Sequence, residues 1–258
     1  MARSCAVKRF EGKVAVVTGA SRGIGFAVAR RIVDEGGRVV VTARGAEALA
    51  EAVTQLGGPE HALGIAGRAH DQAHRAEVVQ RTLDTFGRVD VLVNNTGINP
   101  VFDSILKVDE AAMAKIFEVN VIAAVGWVRE VYNAWMGEHG GAIVNVASLA
   151  GQHPSPGIGI YGASKAALIN LTQQLAYELA HRRIRVNAVA PAVVKTRFAE
   201  ALYAENEEKV AAGYPLGRLG EPDDIAAAVA YLASSDASWV TGQVITLDGG
   251  KTLRAGVE

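Results

Sequence analysis

Tyr161 and Lys165 stand four residues apart in the stretch YGASK. In a helix that spacing is about one turn, so a phenol and an ammonium share one face and can meet the same small molecule. Such a pair suits proton transfer. A phenol holds its proton with a pKa of about 10, and a cation beside it favours the phenolate. Reducing a ketone takes a hydride at carbon and a proton at oxygen, and a redox cofactor supplies only the hydride. Tyr and Lys at this spacing also occur on solvated helices that do no chemistry, so the pair gains meaning only from its surroundings.

A second stretch, TGASRGIG from Thr18 to Gly25, follows a β-branched run and opens a helical pattern. Glycines at 19, 23 and 25 let the backbone turn tightly and approach a pyrophosphate, whose charge a helix N-terminus stabilises. The strand, loop and helix context reads as dinucleotide binding. The next β-branched run ends T-A-R, with Ala43 where an NAD-preferring chain would carry an acid, and Arg44 after it. A carboxylate there would repel a 2′-phosphate, whereas a guanidinium can bind one through paired, charge-assisted hydrogen bonds. Arg22 adds a second positive charge inside the loop, so NADP(H) is expected over NAD(H).

The elements that must position these groups alternate. Short apolar runs at Val14–Gly19, Arg38–Ala43, His61–Ala66, Val89–Asn95, Ala142–Ser148, Ile184–Pro191 and Gln243–Gly250 read as strands. Near-continuous apolar strands belong to a parallel sheet covered on both faces. Helical patterns run at Ile24–Glu35, Ala46–Leu56, Gln72–Phe86, Asp109–Trp135, Tyr161–Ala180 and Pro222–Ser234, with a shorter helix within Phe198–Ala212. The expected fold is a doubly wound α/β, Rossmann-type sheet of about seven strands, with 1–258 as a single domain. Ligands in such sheets bind outside the carboxyl ends of the strands, which places the irregular segment 195–220 over the site.

Composition narrows the partners. Lys plus Arg total 26 against 27 Asp plus Glu, so no excess charge points to nucleic acid or to an anionic membrane. The opening MARSCAVKRF lacks a signal-peptide core, and no apolar run is expected to approach the roughly 20 residues of a bilayer span. The single cysteine, Cys5, reads as an inert tail residue in a reducing compartment, which suggests a cytoplasmic protein. No His, Cys and Asp cluster has metal-ligand spacing, so no metal is expected, and His153 reads as a solvated loop residue.

Taken together, the G-x3-G-x-G loop, NNTG at Asn94–Gly97, Asn120, Ser148 and YGASK thirteen residues later resemble the short-chain dehydrogenase/reductase family in order and spacing, from Gly12 to Gly250. The pattern is most similar to its 3-oxoacyl-[acyl-carrier-protein] reductases. The resemblance implies that Ser148 donates to the substrate oxygen, that Tyr161 is the proton donor, and that Lys165 also holds the nicotinamide ribose. It gives Asn120 the role of holding a water that carries protons between Lys165 and solvent. It further carries cofactor binding onto Gly19, Ser21, Arg22, Gly23, Ile24, Gly25, Arg44, Asn95, Gly97, Pro191, Val194 and Thr196. Two positions depart from the family pattern: Arg68 stands where an Asp usually meets adenine, and Ala192 replaces the Gly after Pro191.

The activity so implied is NADPH-dependent reduction of a small carbonyl, reversible to the secondary alcohol. The alternatives are an NAD-dependent alcohol or sugar dehydrogenase and a catalytically silent nucleotide sensor. Ile98, Pro100, Pro154, Ile158, Val193, Phe198, Leu202 and Tyr203 would form a mostly apolar pocket wall. The turn Gly137–Gly141 and the pair Tyr177 and Glu178 lack the basic residues that an acidic carrier protein would meet, while Arg129 and the cluster His181-Arg182-Arg183 could compensate. Trp127, Val131, Leu168 and Leu171 suggest second apolar stripes on two helices, and family members pair such helices, so a homotetramer is expected.

Overall fold

The computed structural model describes residues 8–254, so Cys5 and the leading seven residues lie outside the described part. Seven strands form one parallel sheet: β1 Val14–Thr18, β2 Arg38–Ala43, β3 Ala62–Ala66, β4 Val91–Asn94, β5 Gly141–Val146, β6 Ile184–Pro191 and β7 Val244–Leu247, in the order β3-β2-β1-β4-β5-β6-β7. The order reverses between β1 and β4, and that switch point opens a crevice at the carboxyl edge. The register is unbroken, with Val17 against Val41 on one side and Val93 on the other.

Alternate residues of each strand feed two cores. Val17, Val41 and Val144 pack with Ile32, Val229 and Leu232, from helices α1 (Gly23–Asp34) and α7 (Pro222–Ala233). Their neighbours Val16, Val40 and Ile143 pack on the other face with Val78 of α3 (Gln72–Phe86) and with Trp127 and Val131 of the long helix α4 (Glu110–His139). The remaining helices are α2 (Ala46–Gln55), α5 (Gly159–Leu179) and α6 (Glu207–Ala211).

The strands and most helices fall within a few residues of the sequence expectation, and four expectations need correction. The long helix is not uniform: it widens to π geometry at Glu118–Ile122 and again at Tyr132–Met136, and it runs on to His139. By length and a mean hydropathy of 1.5 it could cross a bilayer, contrary to the sequence expectation; the burial of Ile116, Trp127, Val128, Val131 and Met136 in the protein's own core accounts for this apolar character. The helix expected within Phe198–Ala212 is instead a turn at Glu200–Leu202 and the short α6, whose start Asn206 caps by accepting from Lys209 N. Finally, Trp127, Val131 and Leu168 are core residues, which leaves the half-buried Leu171 alone of the four expected for a second stripe; the large exposed apolar side chains on these two helices are Ile122 and Tyr177.

Candidate active site

The glycine loop leaves β1 at the switch point. Thr18 anchors it: its hydroxyl oxygen accepts from the backbone N–H groups of Asn95 and Thr96, each at 3.0 Å. The Asn95 amide donates to the carbonyls of Thr18 and Gly19, at 2.8 and 3.0 Å. The Asn95 side chain therefore holds the loop in shape. Gly25 must be glycine, because a Cβ there would sit 2.6 Å from Gly19 O. Gly19 and Gly23 take positive φ, at 64° and 59°. Arg22 stands at the N-cap of α1 without a side-chain capping bond, and the first turn holds no acid. The positive end of α1 is thus open, whereas Asp71 and Asp109 cap α3 and α4. Ser21 and Ile24 are half-buried beside it, and Arg44 is exposed past the end of β2.

Across the crevice, Ser148, Tyr161 and Lys165 come together. Ser148 lies just past β5, at the N-cap of the turn Leu149–Gly151, and its hydroxyl oxygen accepts from Ala150 N at 3.2 Å. Tyr161 and Lys165 are in the first two turns of α5. Gly162 explains the small-residue run between them, since a Cβ there would lie 2.6 Å from Ala150 O of that same turn. Lys165 is 3 % exposed; its ammonium donates to Val146 O at 2.8 Å and lies 5.7 Å from the Tyr161 ring centroid.

Burial governs both titrations. It pushes the Tyr161 phenol up to about 12, with a hydrogen bond from Ser148 pulling the other way, and it pushes Lys165 down to about 8. The neighbouring cation does not offset the burial of the phenol here, because Lys165 is turned to Val146 O. Asn120, in the first π segment, is 1 % exposed. Its amide accepts from Ile98 N at 2.8 Å and donates to Ile98 O and Ser164 Oγ, both at 3.0 Å. Ser164 in turn donates to Tyr161 O at 2.7 Å. Asn120 thus ties the loop after β4 to the helix that bears Tyr161. The expectation passed over Ser164, although its place inside YGASK is the signal that could have found it.

The covering segment starts at the end of β6, at Pro191. Val194 is buried and bridges Gly220, and Thr196 reaches over the glycine loop, its methyl 3.3 Å from where a Gly23 Cβ would be. Lys195 binds Glu207 of α6 and Glu221 before α7, at 2.6 and 3.2 Å. Phe198 hangs from this segment with its ring 6.1 Å from that of Tyr161. Ile158 lies in the loop before Tyr161, and Pro100 and Pro154 are exposed, as are Phe198 and Leu202. Arg68 and His153 are exposed.

An open sheet with a glycine loop at its switch point and a Ser–Tyr–Lys group opposite defines a dinucleotide-dependent class of protein. A family model described as enoyl-(acyl carrier protein) reductase matches residues 19–252. The dehydrogenase/reductase SDR family member 4 of Caenorhabditis elegans is 44 % identical over 96 % of this chain and 98 % of its own length, and the human one is 40 % identical over 94 % and 88 %. A tropinone reductase-like 3 of Erythroxylum coca is 38 % identical over 96 % of both chains. A solved structure described as a short-chain alcohol dehydrogenase of Sinorhizobium meliloti 1021 superposes with a TM-score of 0.88, at 34 % identity over 96 % of this chain and 99 % of that one. The chain belongs to the short-chain dehydrogenase/reductase family and is an oxidoreductase. The family implies a nicotinamide cofactor, and the residues present fit one. The α1 N-terminus is open to an anion, and Gly97 keeps clear a space in which a Cβ would sit 3.2 Å from Lys165 Nζ.

Proposed function

We propose that the protein is an NADPH-dependent ketoreductase that interconverts a small-molecule ketone and its secondary alcohol, with Tyr161 as proton donor. The observation that carries this reading is the convergence of Ser148, Tyr161 and Lys165 beside the open end of α1. Bound nicotinamide supplies the hydride. The chain supplies the rest. The Ser148 hydroxyl donates to the substrate oxygen as negative charge builds there. The Tyr161 phenol, which burial keeps protonated, gives that oxygen its proton. Lys165, a cation at neutral pH, carries donors to orient the cofactor, and it favours the phenolate left behind once its ammonium turns from Val146 O toward the phenol. Asn120 holds the loop at Ile98 and, through Ser164, the backbone of Tyr161.

The choice of NADPH rests on Arg22 and Arg44, both exposed and without an ion pair among the described residues. The apolar rim of Phe102, Ile105, Phe198 and Leu202 supports an apolar ketone, free or on a short thioester, taken without a carrier protein. That the Erythroxylum relative is named for tropinone reduction agrees with a carbonyl substrate.

The deciding experiment is kcat/KM for a panel of apolar ketones with NADPH and NADH side by side, repeated with Arg44→Asp. Reduction with NADPH preferred is expected, and the variant should move the preference toward NADH by about 2 kcal/mol or more, the scale of a lost charge-assisted bond. Equal use of both nicotinamides before and after the change rejects the cofactor choice. NADPH binding with no turnover on any ketone makes the protein a sensor. A carrier-protein advantage above about a hundredfold, roughly 2.7 kcal/mol, rejects the free substrate.

A further inference from the structure

Arginines of this protein are mostly engaged: Arg9, Arg30, Arg31, Arg81, Arg88 and Arg218 hold carboxylates, and Arg185 holds carbonyls. Arg129, Arg182 and Arg197 are exposed with no side-chain partner among the described residues, and so are Arg22, Arg44 and Arg68. The last three leave the carboxyl edge of neighbouring strands, Arg22 after β1, Arg44 after β2 and Arg68 after β3. Ala43 pairs with Ala66 across β2 and β3, so Arg44 and Arg68 follow a paired position by one and two residues. Neighbouring strands lie about 4.8 Å apart, which puts the two chain exits side by side.

A buried clip makes this juxtaposition rigid. His74 of α3 is 6 % exposed; its Nε2 is 2.6 Å from Thr42 Oγ1 of β2, and its ring packs edge-on against Trp127. Burial lowers the His74 pKa, so the ring is neutral and stays with the threonine hydroxyl. Gly67 lies against the same ring, where any Cβ would collide with it, and its N–H donates to Ala43 O at 2.9 Å. The residues before Arg44 and before Arg68 are thus fastened to one imidazole and to each other. The acids nearby do not compete for Arg68: Asp71 caps Ala73 N at 2.9 Å, and Glu47, in the first turn of α2, has no ion pair with either arginine. His70 is turned to Lys115, at 2.9 Å.

We infer that Arg68 is a further ligand for the 2′-phosphate of the cofactor ribose, beside Arg44 and Arg22. A phosphate monoester carries close to two negative charges at neutral pH on three strongly accepting oxygens, so it can take more donors than one or two guanidinia supply. A guanidinium on the loop clipped beside that of Arg44 adds charge-assisted hydrogen bonds without ordering a long flexible segment on binding. The inference rests on the NADPH reading above and adds to it a residue that discriminates between the two nicotinamides.

The test uses the full chain and its Arg68→Ala and Arg68→Lys variants, with dissociation constants for NADPH and NADH by nicotinamide fluorescence. Adenosine 2′,5′-bisphosphate and 5′-AMP serve as probes without nicotinamide. Arg68→Ala should weaken NADPH and the bisphosphate by about tenfold or more, the scale of one charge-assisted bond, and NADH and 5′-AMP by less than about threefold. Arg68→Lys should recover part of the loss. Equal losses for the phosphorylated and unphosphorylated ligands, or no loss for either, overturn the inference and leave the NADPH reading standing. A parent protein that binds NADH as tightly as NADPH overturns both. Because Arg68 is exposed, unchanged NADH binding by the variant also shows that it is folded.

Discussion

Tyr161 and Lys165 are each costly to bury, and the cost is informative. Tyr161→Phe keeps the ring and removes the proton, so turnover is expected to fall at least about a hundredfold while NADPH still binds, the scale of general acid–base catalysis. Turnover within a fewfold of the parent would remove Tyr161 from the mechanism. Lys165 makes the opposite kind of statement. Its folded pKa of about 8 lies below the ordinary lysine value of 10.5, so the folded state releases this proton more readily than the unfolded chain. The buried ammonium therefore destabilises the protein at pH 7, and the penalty fades as pH rises from 8 to 10.5. Lys165→Met should be inactive yet melt higher than the parent at pH 7, with the gain shrinking across that window; a lower melting temperature at every pH would refute it. The residue types and their spacing were legible in the sequence. The turn of Lys165 toward Val146 O was not, because it depends on where the end of β5 lies in space.

At the scale of elements, the strands were legible because a doubly covered parallel sheet leaves long apolar runs, and Gln72–Phe86 matched to the residue. The long helix shows what periodicity omits. A π segment inserts one residue without changing composition, so the widening at Glu118–Ile122 leaves no mark in the hydrophobic pattern. It sits where Asn120 must meet Ile98 and Ser164. Asn120→Ala leaves the Ile98 N–H and C=O and the Ser164 hydroxyl short of a partner, and is expected to cost about 2 kcal/mol or more in chemical denaturation. Because the same amide steadies the loop after β4 and the Tyr161 backbone, kcat should fall as well; a variant that loses stability at full kcat would make Asn120 purely structural. Arg185 was unreadable for a similar reason. An arginine inside a strand looks misplaced until its guanidinium is seen to donate to the carbonyls of Leu232, Ser234 and Val240, closing the end of α7.

For the whole molecule, the sequence pointed to paired helices through residues that prove to be core. Trp127, Val131 and Leu168 serve the sheet, because a hydrophobic pattern alone does not separate a core stripe from an interface stripe. The exposed apolar side chains do separate them. Ile122 on α4 is 64 % exposed and Tyr177 on α5 is 85 % exposed, while Trp239 and Leu253, near β7, are 98 % and 84 % exposed. We propose that partner copies cover these side chains, which lie away from the apolar rim of the site; two surfaces on one chain, each matched with itself by a twofold axis, would close a tetramer. We expect light scattering to give about 108 kDa, four copies of the 27.0 kDa chain. Ile122→Glu with Tyr177→Glu places like charges across one self-matched surface and should halve the assembly to a dimer; Trp239→Glu should do so through the other. A monomer mass at micromolar concentration for the parent would reject the tetramer, and a tetramer that survives all three substitutions would place its interfaces elsewhere.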